Sequence, residues 1–317
     1  MQVESAPQAL PRRRTLAVSP EGFRRAAIVA TVALVLIVAT GATVRLTGSG
    51  LGCPHWPGCE ATDVLPKGYH SYVEFSNRVV AFLTVLATLV LAIAAWATTG
   101  LRRSVKVLAT LVFVGTLGQA PLGALTVHYH LNPWLVISHL LLSLLVLGLG
   151  VIVLLEASRL VRGDAPALPR PARGAGAVLL VASGVLVFSG TLATAAGRYP
   201  GSSGDTRVRR LGSFEPSVAL HVRAVAAFGI VFLLLAAWAW RNRDRYPWLV
   251  RGCGGLLVIL LAQMAIGEIQ YRTYSDVPWW LVLIHVTVAA CVFAWTVGLV
   301  ARLWRPLAPA STGEDRT

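Results

Sequence analysis

Charge is what this sequence lacks. Only 13% of its 317 residues are Asp, Glu, Lys or Arg, where soluble domains carry about 25%. With 56% hydrophobic residues and a mean hydropathy of +0.67, that shortage excludes a soluble globular fold. It points to a polytopic membrane protein whose core is built in lipid. Acidic residues are scarcest, 14 against 28 basic ones, for a net charge of +14. Nucleic-acid binding is the other usual meaning of such a balance. Here the arginines fall in short clusters between apolar runs, which membrane topology explains and nucleic acid does not. Cysteine is limited to four residues, and the CxxC…CxxC pattern of a zinc site is missing. Structural zinc wants about four N/S ligands close together. No A-x-A-like cleavage site follows the first apolar run, which exceeds the roughly 7–15 residues of a signal-peptide core. It reads as a retained span.

What is present is a series of apolar runs. A span takes roughly 20 apolar residues, and eight stretches qualify: 26–46, 72–97, 105–127, 134–155, 175–196, 216–240, 252–270 and 279–303. The expected fold is an all-α polytopic membrane protein, its eight transmembrane helices forming two pseudo-symmetric four-helix bundles. The expected division is a cytoplasmic tail 1–25, an N-terminal half 26–158, a cytoplasmic linker 159–174, a C-terminal half 175–305 and a cytoplasmic tail 306–317. The first 22 residues, with the run Arg12-Arg13-Arg14, read as disordered. Lys and Arg in short loops set orientation. Arg24, Arg25, Arg102, Arg103, Lys106, Arg159, Arg162, Arg241, Arg243, Arg245, Arg302 and Arg305 share one side if both termini are cytoplasmic. The cluster from Arg207 to Arg210 would lie outside, against the rule, and asks for a local reason such as an anionic ligand.

The two halves echo each other. NPWLVISH ends on His139, and DVPWWLVLIH ends on His285. Gln119 and Gly123 precede the first histidine; Gln263 and Gly267, at the same spacing, precede the second. Gly41 and Gly190 sit near the outer ends of the first and fifth helices, and Asn77-Arg78 stands where the second half has His221 and Arg223. Both halves enter from the same side, so the repeat is parallel, about an axis along the membrane normal.

An ionisable side chain inside a span is costly and is a functional-site hypothesis by default. At about 1.5 Å per residue, His139, His221, His285 and Asn77 all lie within roughly 10 Å of the outer surface. His221 and His285 make a level pair on two helices of one bundle, and such a pair suits haem iron. The bland alternative is an imidazole that bridges membrane helices by a hydrogen bond. Glu74 lies three residues before Asn77 and shares its helix face. The matching position in the second half is the inert Val218. One half thus holds a carboxylate and the other a histidine pair, which suggests one haem that is reacted upon and one that is structural or carries electrons. Cys53 and Cys59 flank a short outer loop, where a disulfide is plausible, either structural or redox-active. Cys253 and Cys291 read as small buried hydrophobes.

These residues resemble the haem A synthase family of bacteria and mitochondria. The resemblance rests on GATVRLTGSGLGCPHWPGC from Gly41, EFSNR from Glu74, GQAPLGALTV from Gly118, and the histidines of the fourth, sixth and eighth helices. It implies an oxidoreductase that converts the C8 methyl of haem O to a formyl group, giving haem A for cytochrome oxidase. Two successive hydroxylations would give a gem-diol that loses water. The resemblance implies His139 as iron ligand to the substrate haem and Glu74 as a catalytic carboxylate. It assigns His221 and His285 to the iron of a haem b, Asn77 and Arg78 to cofactor contacts, and Cys53 and Cys59 to a disulfide. Implied partners are haem O, haem O synthase, oxidase assembly factors, an external electron donor and a further copy of the chain; nucleic acid is not among them. The implied location is the plasma membrane.

One position departs from the family pattern. Many members have His in an E-x-x-H-R motif where this chain has Asn77, and Asn is a poor iron ligand. The expectation is therefore a five-coordinate substrate iron on His139 with Asn77 facing an open position. His70, His128 or His130 is the alternative second ligand. The rival functions are a di-haem cytochrome that only relays electrons, a haem carrier or chaperone, and a transporter.

Overall fold

The computed structural model describes residues 17–55, 58–59, 65–203 and 208–308. Among these it forms eight α-helices: α1 Pro20–Leu46, α2 Tyr69–Ala97, α3 Arg103–His128, α4 Pro133–Arg162, α5 Arg170–Ala196, α6 Phe214–Arg241, α7 Pro247–Arg272 and α8 Trp279–Trp304. Each is long and apolar enough to cross a membrane. Their outward faces carry large apolar side chains, among them Val32, Phe82, Val181 and Leu234. In water such exposure would mark an interaction surface; on a spanning helix it is the lipid-facing stripe.

Several helices run further than the apolar runs alone indicate, because polar capping extends them. α1 begins at Pro20 rather than at 26: the Ser19 hydroxyl accepts the Gly22 N–H at 3.1 Å, and proline occupies the first turn. Both features favour a helix start. So the stretch 20–25, expected in a tail, is helical, while 1–16 and the arginine run lie outside the described residues. α4 continues through Arg162 and α5 starts at Arg170, which shortens the expected linker from both ends. α7 starts at Pro247 rather than 252, again with proline leading.

Packing groups the helices in two sets of four. α1 packs on α2 and α4, and α3 on α2 and α4, closing one ring of four. α5 packs on α6 and α8, and α7 on α6 and α8, closing another. The rings meet through α1, α4, α5 and α8. One apolar core, with Phe23, Leu34, Leu91 and Leu147, fills the first half; a second, with Leu179, Phe228, Phe232 and Leu256, fills the other.

Both ends of the seam are fastened. On the side of the histidines, the Gly50 N–H donates to the Gly201 carbonyl at 2.7 Å, and buried Leu131 packs beside both glycines. A Cβ on Gly50 would fall 2.8 Å from that carbonyl oxygen, so the close approach requires glycine. Arg45, at the end of α1, crosses to the Thr194 carbonyl of α5 at 3.2 Å. On the opposite side, Glu156 accepts from Arg159 at 2.8 Å and from Arg305 at 2.6 Å. Arg305 also reaches Asp164 at 2.9 Å. Glu156 lies in the last two turns of α4 and Arg305 follows α8, so this network ties the halves together.

Candidate functional site

The repeat predicts matching surroundings for His139 and His285, and the structure builds them from the same parts. Each sits in the second turn of its helix, α4 or α8. The Gln119 side-chain amide, on α3, donates to the His139 carbonyl at 3.3 Å and to Ser143 Oγ at 2.9 Å. Gln263, on α7, donates to the His285 carbonyl at 2.9 Å. These bonds fix the helix that carries each histidine and leave the imidazole itself untouched. A Cβ on Gly123 would stand 3.5 Å from His139 Cε1, and one on Gly267 would stand 3.4 Å from His285 Cε1. Glycine thus lets each ring lie close against the neighbouring helix. In both rings Nδ1 is buried and has no hydrogen-bond partner among the described residues.

The second element of each site is also matched in position but not in chemistry. In the second half His221 rests on α5: its Cε1 would lie 3.1 Å from a Cβ on Gly190, and its Nδ1 is 3.1 Å from Ser189 Oγ. His221 and His285 lie within electrostatic reach of each other. In the first half Asn77 rests on α1 in the same way. A Cβ on Gly41 would be 4.0 Å from Asn77 Oδ1, and the Thr40 hydroxyl donates to that oxygen at 2.7 Å. With Oδ1 engaged, the side-chain NH2 is the group Asn77 has left to offer. The partners Thr40 and Ser189 are absent from the sequence reading. Their signal was available: a hydroxyl residue directly precedes each of the two repeat glycines.

Glu74 and Arg78 do not stand free beside Asn77. Glu74 is 5% exposed. One of its oxygens accepts the Cys53 N–H at 2.9 Å and the other accepts from Arg78 at 2.6 Å. Arg78 in turn donates to the carbonyls of Cys53 at 3.3 Å, His55 at 2.7 Å and Gly58. The pair is an i,i+4 clasp that holds the outer loop against α2. That loop is closed by a Cys53–Cys59 disulfide, and both cysteines are fully buried. The Ser71 hydroxyl adds a bond to the Gly52 carbonyl at 2.6 Å.

The remaining histidines are elsewhere. His128 and His130 are exposed at the turn between α3 and α4. His70 meets Ser49 Oγ at 2.9 Å and lines an outer cleft of about 310 Å³ with Leu51, Lys67 and Gly52. Of the outer basic cluster, Arg207 lies outside the described residues. Arg210 donates to the Arg198 carbonyl at 2.7 Å, and burial lowers its pKa below the ordinary guanidinium value while Tyr274 opposes that shift. Arg223 is exposed.

The site therefore offers imidazoles on the inner walls of two bundles, each ring packed on a glycine and two of them with an orphaned nitrogen. Those are the features a planar iron macrocycle needs from a helical bundle. Comparison with known proteins gives the family. Residues 24–297 match the family model described as cytochrome oxidase assembly protein. The chain is similar to the haem A synthase of Listeria monocytogenes strain HCC23, 27% identical over 283 residues, covering 84% of this chain and 90% of that one. It is 32% identical to the haem A synthase of Lysinibacillus sphaericus over 173 residues, 52% of this chain and 56% of that one. With most of its length inside the family match, the chain belongs to the cytochrome oxidase assembly proteins that include the haem A synthases.

Proposed function

We propose that this protein is a haem A synthase, which oxidises the C8 methyl of haem O to a formyl group. The observation that carries the reading is the twinned setting of His139 and His285: the same glutamine and glycine around each, and in each an unsatisfied buried nitrogen. The first half takes haem O as substrate, with His139 toward its iron. In the second half, His221 and His285 are the residues that would hold a haem b. Bound haem supplies redox chemistry at iron; the oxidant and the electrons come from outside the chain. Asn77, its oxygen held by Thr40, would have its NH2 donors left to offer a bound substrate. Both hydroxylations occur on one methyl, and the resulting gem-diol loses water. Both termini are cytoplasmic, which places the sites near the outer face of the plasma membrane. Haem O synthase, oxidase assembly factors and further copies of the chain are the partners this role requires.

For Glu74 the contacts favour a role alongside the catalytic one. With both oxygens engaged, it positions Cys53 and the start of the outer loop against α2. Glu74→Gln separates the two roles, because the amide keeps an oxygen for the Cys53 N–H but loses the charge. A proton-handling carboxylate predicts lost formyl haem with normal haem binding. A positioning residue predicts that Gln is tolerated while Glu74→Ala impairs haem binding.

The decisive experiment is co-expression with a haem O source, followed by haem extraction. Haem A should appear with the intact chain and not with His139→Ala. Recovery of haem O or haem B alone from the intact chain would reject the synthase in favour of an electron relay or a carrier.

A further inference from the structure

A cavity of about 540 Å³ opens at the helix ends opposite the histidines. Its walls come from both halves: Val151 and Leu155 on α4, Trp248 and Arg251 on α7, and Trp295 and Arg302 on α8. Its geometry is fixed. Trp295 Nε1 donates to the Gly252 carbonyl at 3.2 Å, and the Arg302 guanidinium lies over the Trp248 ring at 4.2 Å. Among the described residues, Arg302 Nε is buried without a hydrogen-bond partner and no carboxylate lines the cavity; Arg251 is exposed at the rim. On this side of the molecule, Glu156 and Asp164 are already held by Arg159 and Arg305. The result is a wedge with two cations and two indoles at its mouth and aliphatic side chains on its α4 wall, at the level where the helices leave the hydrocarbon.

We propose that this cavity binds an anionic phospholipid, its phosphate between Arg251 and Arg302 and the start of an acyl chain along Val151 and Leu155. Charge and shape select the occupant. An aliphatic wall beneath paired arginines suits a headgroup with a chain attached, and basic pockets between spanning helices take acidic headgroups. The lipid would fill the seam between the halves on the side away from the haems, so the inference stands apart from the proposed reaction.

The test uses the full chain, purified in detergent and offered phosphatidylglycerol or phosphatidylcholine of the same acyl composition. Retained lipid is read by native mass spectrometry. Phosphatidylglycerol should be retained preferentially. Arg251→Gln and Arg302→Gln should each lower its retention about fivefold, the equivalent of roughly 1 kcal/mol for one cation at an acidic headgroup. Phosphatidylcholine should be unaffected. Arg302→Gln also removes the stacking on Trp248, but Arg251 is on the rim and its variant carries no such risk to folding. Equal retention of the two lipids, or undiminished phosphatidylglycerol in Arg251→Gln, overturns the proposal. So does inorganic phosphate that displaces the lipid and protects the fold from heat equally well, since the site would then be one for a free anion.

Discussion

In the second half, Ser189 and Gly190 of α5 face an imidazole; in the first, Thr40 and Gly41 of α1 face an amide. Around this difference the scaffolds hardly change. Gln119 and Gly123 do for His139 what Gln263 and Gly267 do for His285. The first half then adds what the second lacks: a buried carboxylate clasped to a disulfide-closed loop. On the proposed reading these are two places for an iron macrocycle, and Asn77 in the position of a histidine sets the first apart from the pair His221 and His285.

The comparison breaks most completely if a histidine is removed. His221→Ala and His285→Ala should each abolish haem in the second half, read as loss of its low-spin absorption bands. The loss should exceed the roughly 10–100-fold that changes outside the ligand shell cost a metal site. His139→Ala should spare those bands and eliminate haem A. If His139→Ala removed the low-spin bands while His221→Ala left them, the assignment of the halves would be reversed.

Asn77→His gives the first half the second half's ligand set. The expected result is a second low-spin haem, read as added low-spin absorption bands from the first half. Asn77→Ala should leave the first-half haem high-spin. A low-spin signal that disappears in Asn77→Ala contradicts five-coordination. The glycines give a smaller and graded effect. Gly190→Ala puts a methyl 3.1 Å from His221, whereas Gly41→Ala puts one 4.0 Å from Asn77. Overpacking costs about 1–3 kcal/mol, so Gly190→Ala should lower thermal stability and haem b content, while Gly41→Ala is tolerated.

The sequence made the spans and the repeat legible because both rest on hydropathy and spacing. Helix ends were harder to read, since Ser19, Pro133 and Pro247 begin helices in polar surroundings where an apolar window does not look. Spacing found the glutamine–glycine–histidine sets because their members recur at near-constant intervals. It could not show that Glu74 and Arg78 face the 53–59 loop, since a contact between a loop and a helix 21 residues on leaves no period. Nor does spacing register the wedge at Arg251 and Arg302, which exists only where α4 and α7 flank α8.

The finest difference between the halves lies in the glutamines. Gln119 donates to both the His139 carbonyl and Ser143 Oγ, at 3.3 and 2.9 Å, while for Gln263 one acceptor, the His285 carbonyl, is found among the described residues. Side-chain bonds between membrane helices average about 0.6 kcal/mol. Replacing either glutamine by Leu therefore costs little, and Gln119→Leu should cost more because it removes two bonds, leaving Ser143 Oγ only its own bond to the His139 carbonyl. Each variant should disturb only its own half: Gln119→Leu the yield of haem A, Gln263→Leu the retention of haem b. Equal losses of both haems from either variant would mean that the halves are coupled through α4 and α8, and that the two sites do not act independently.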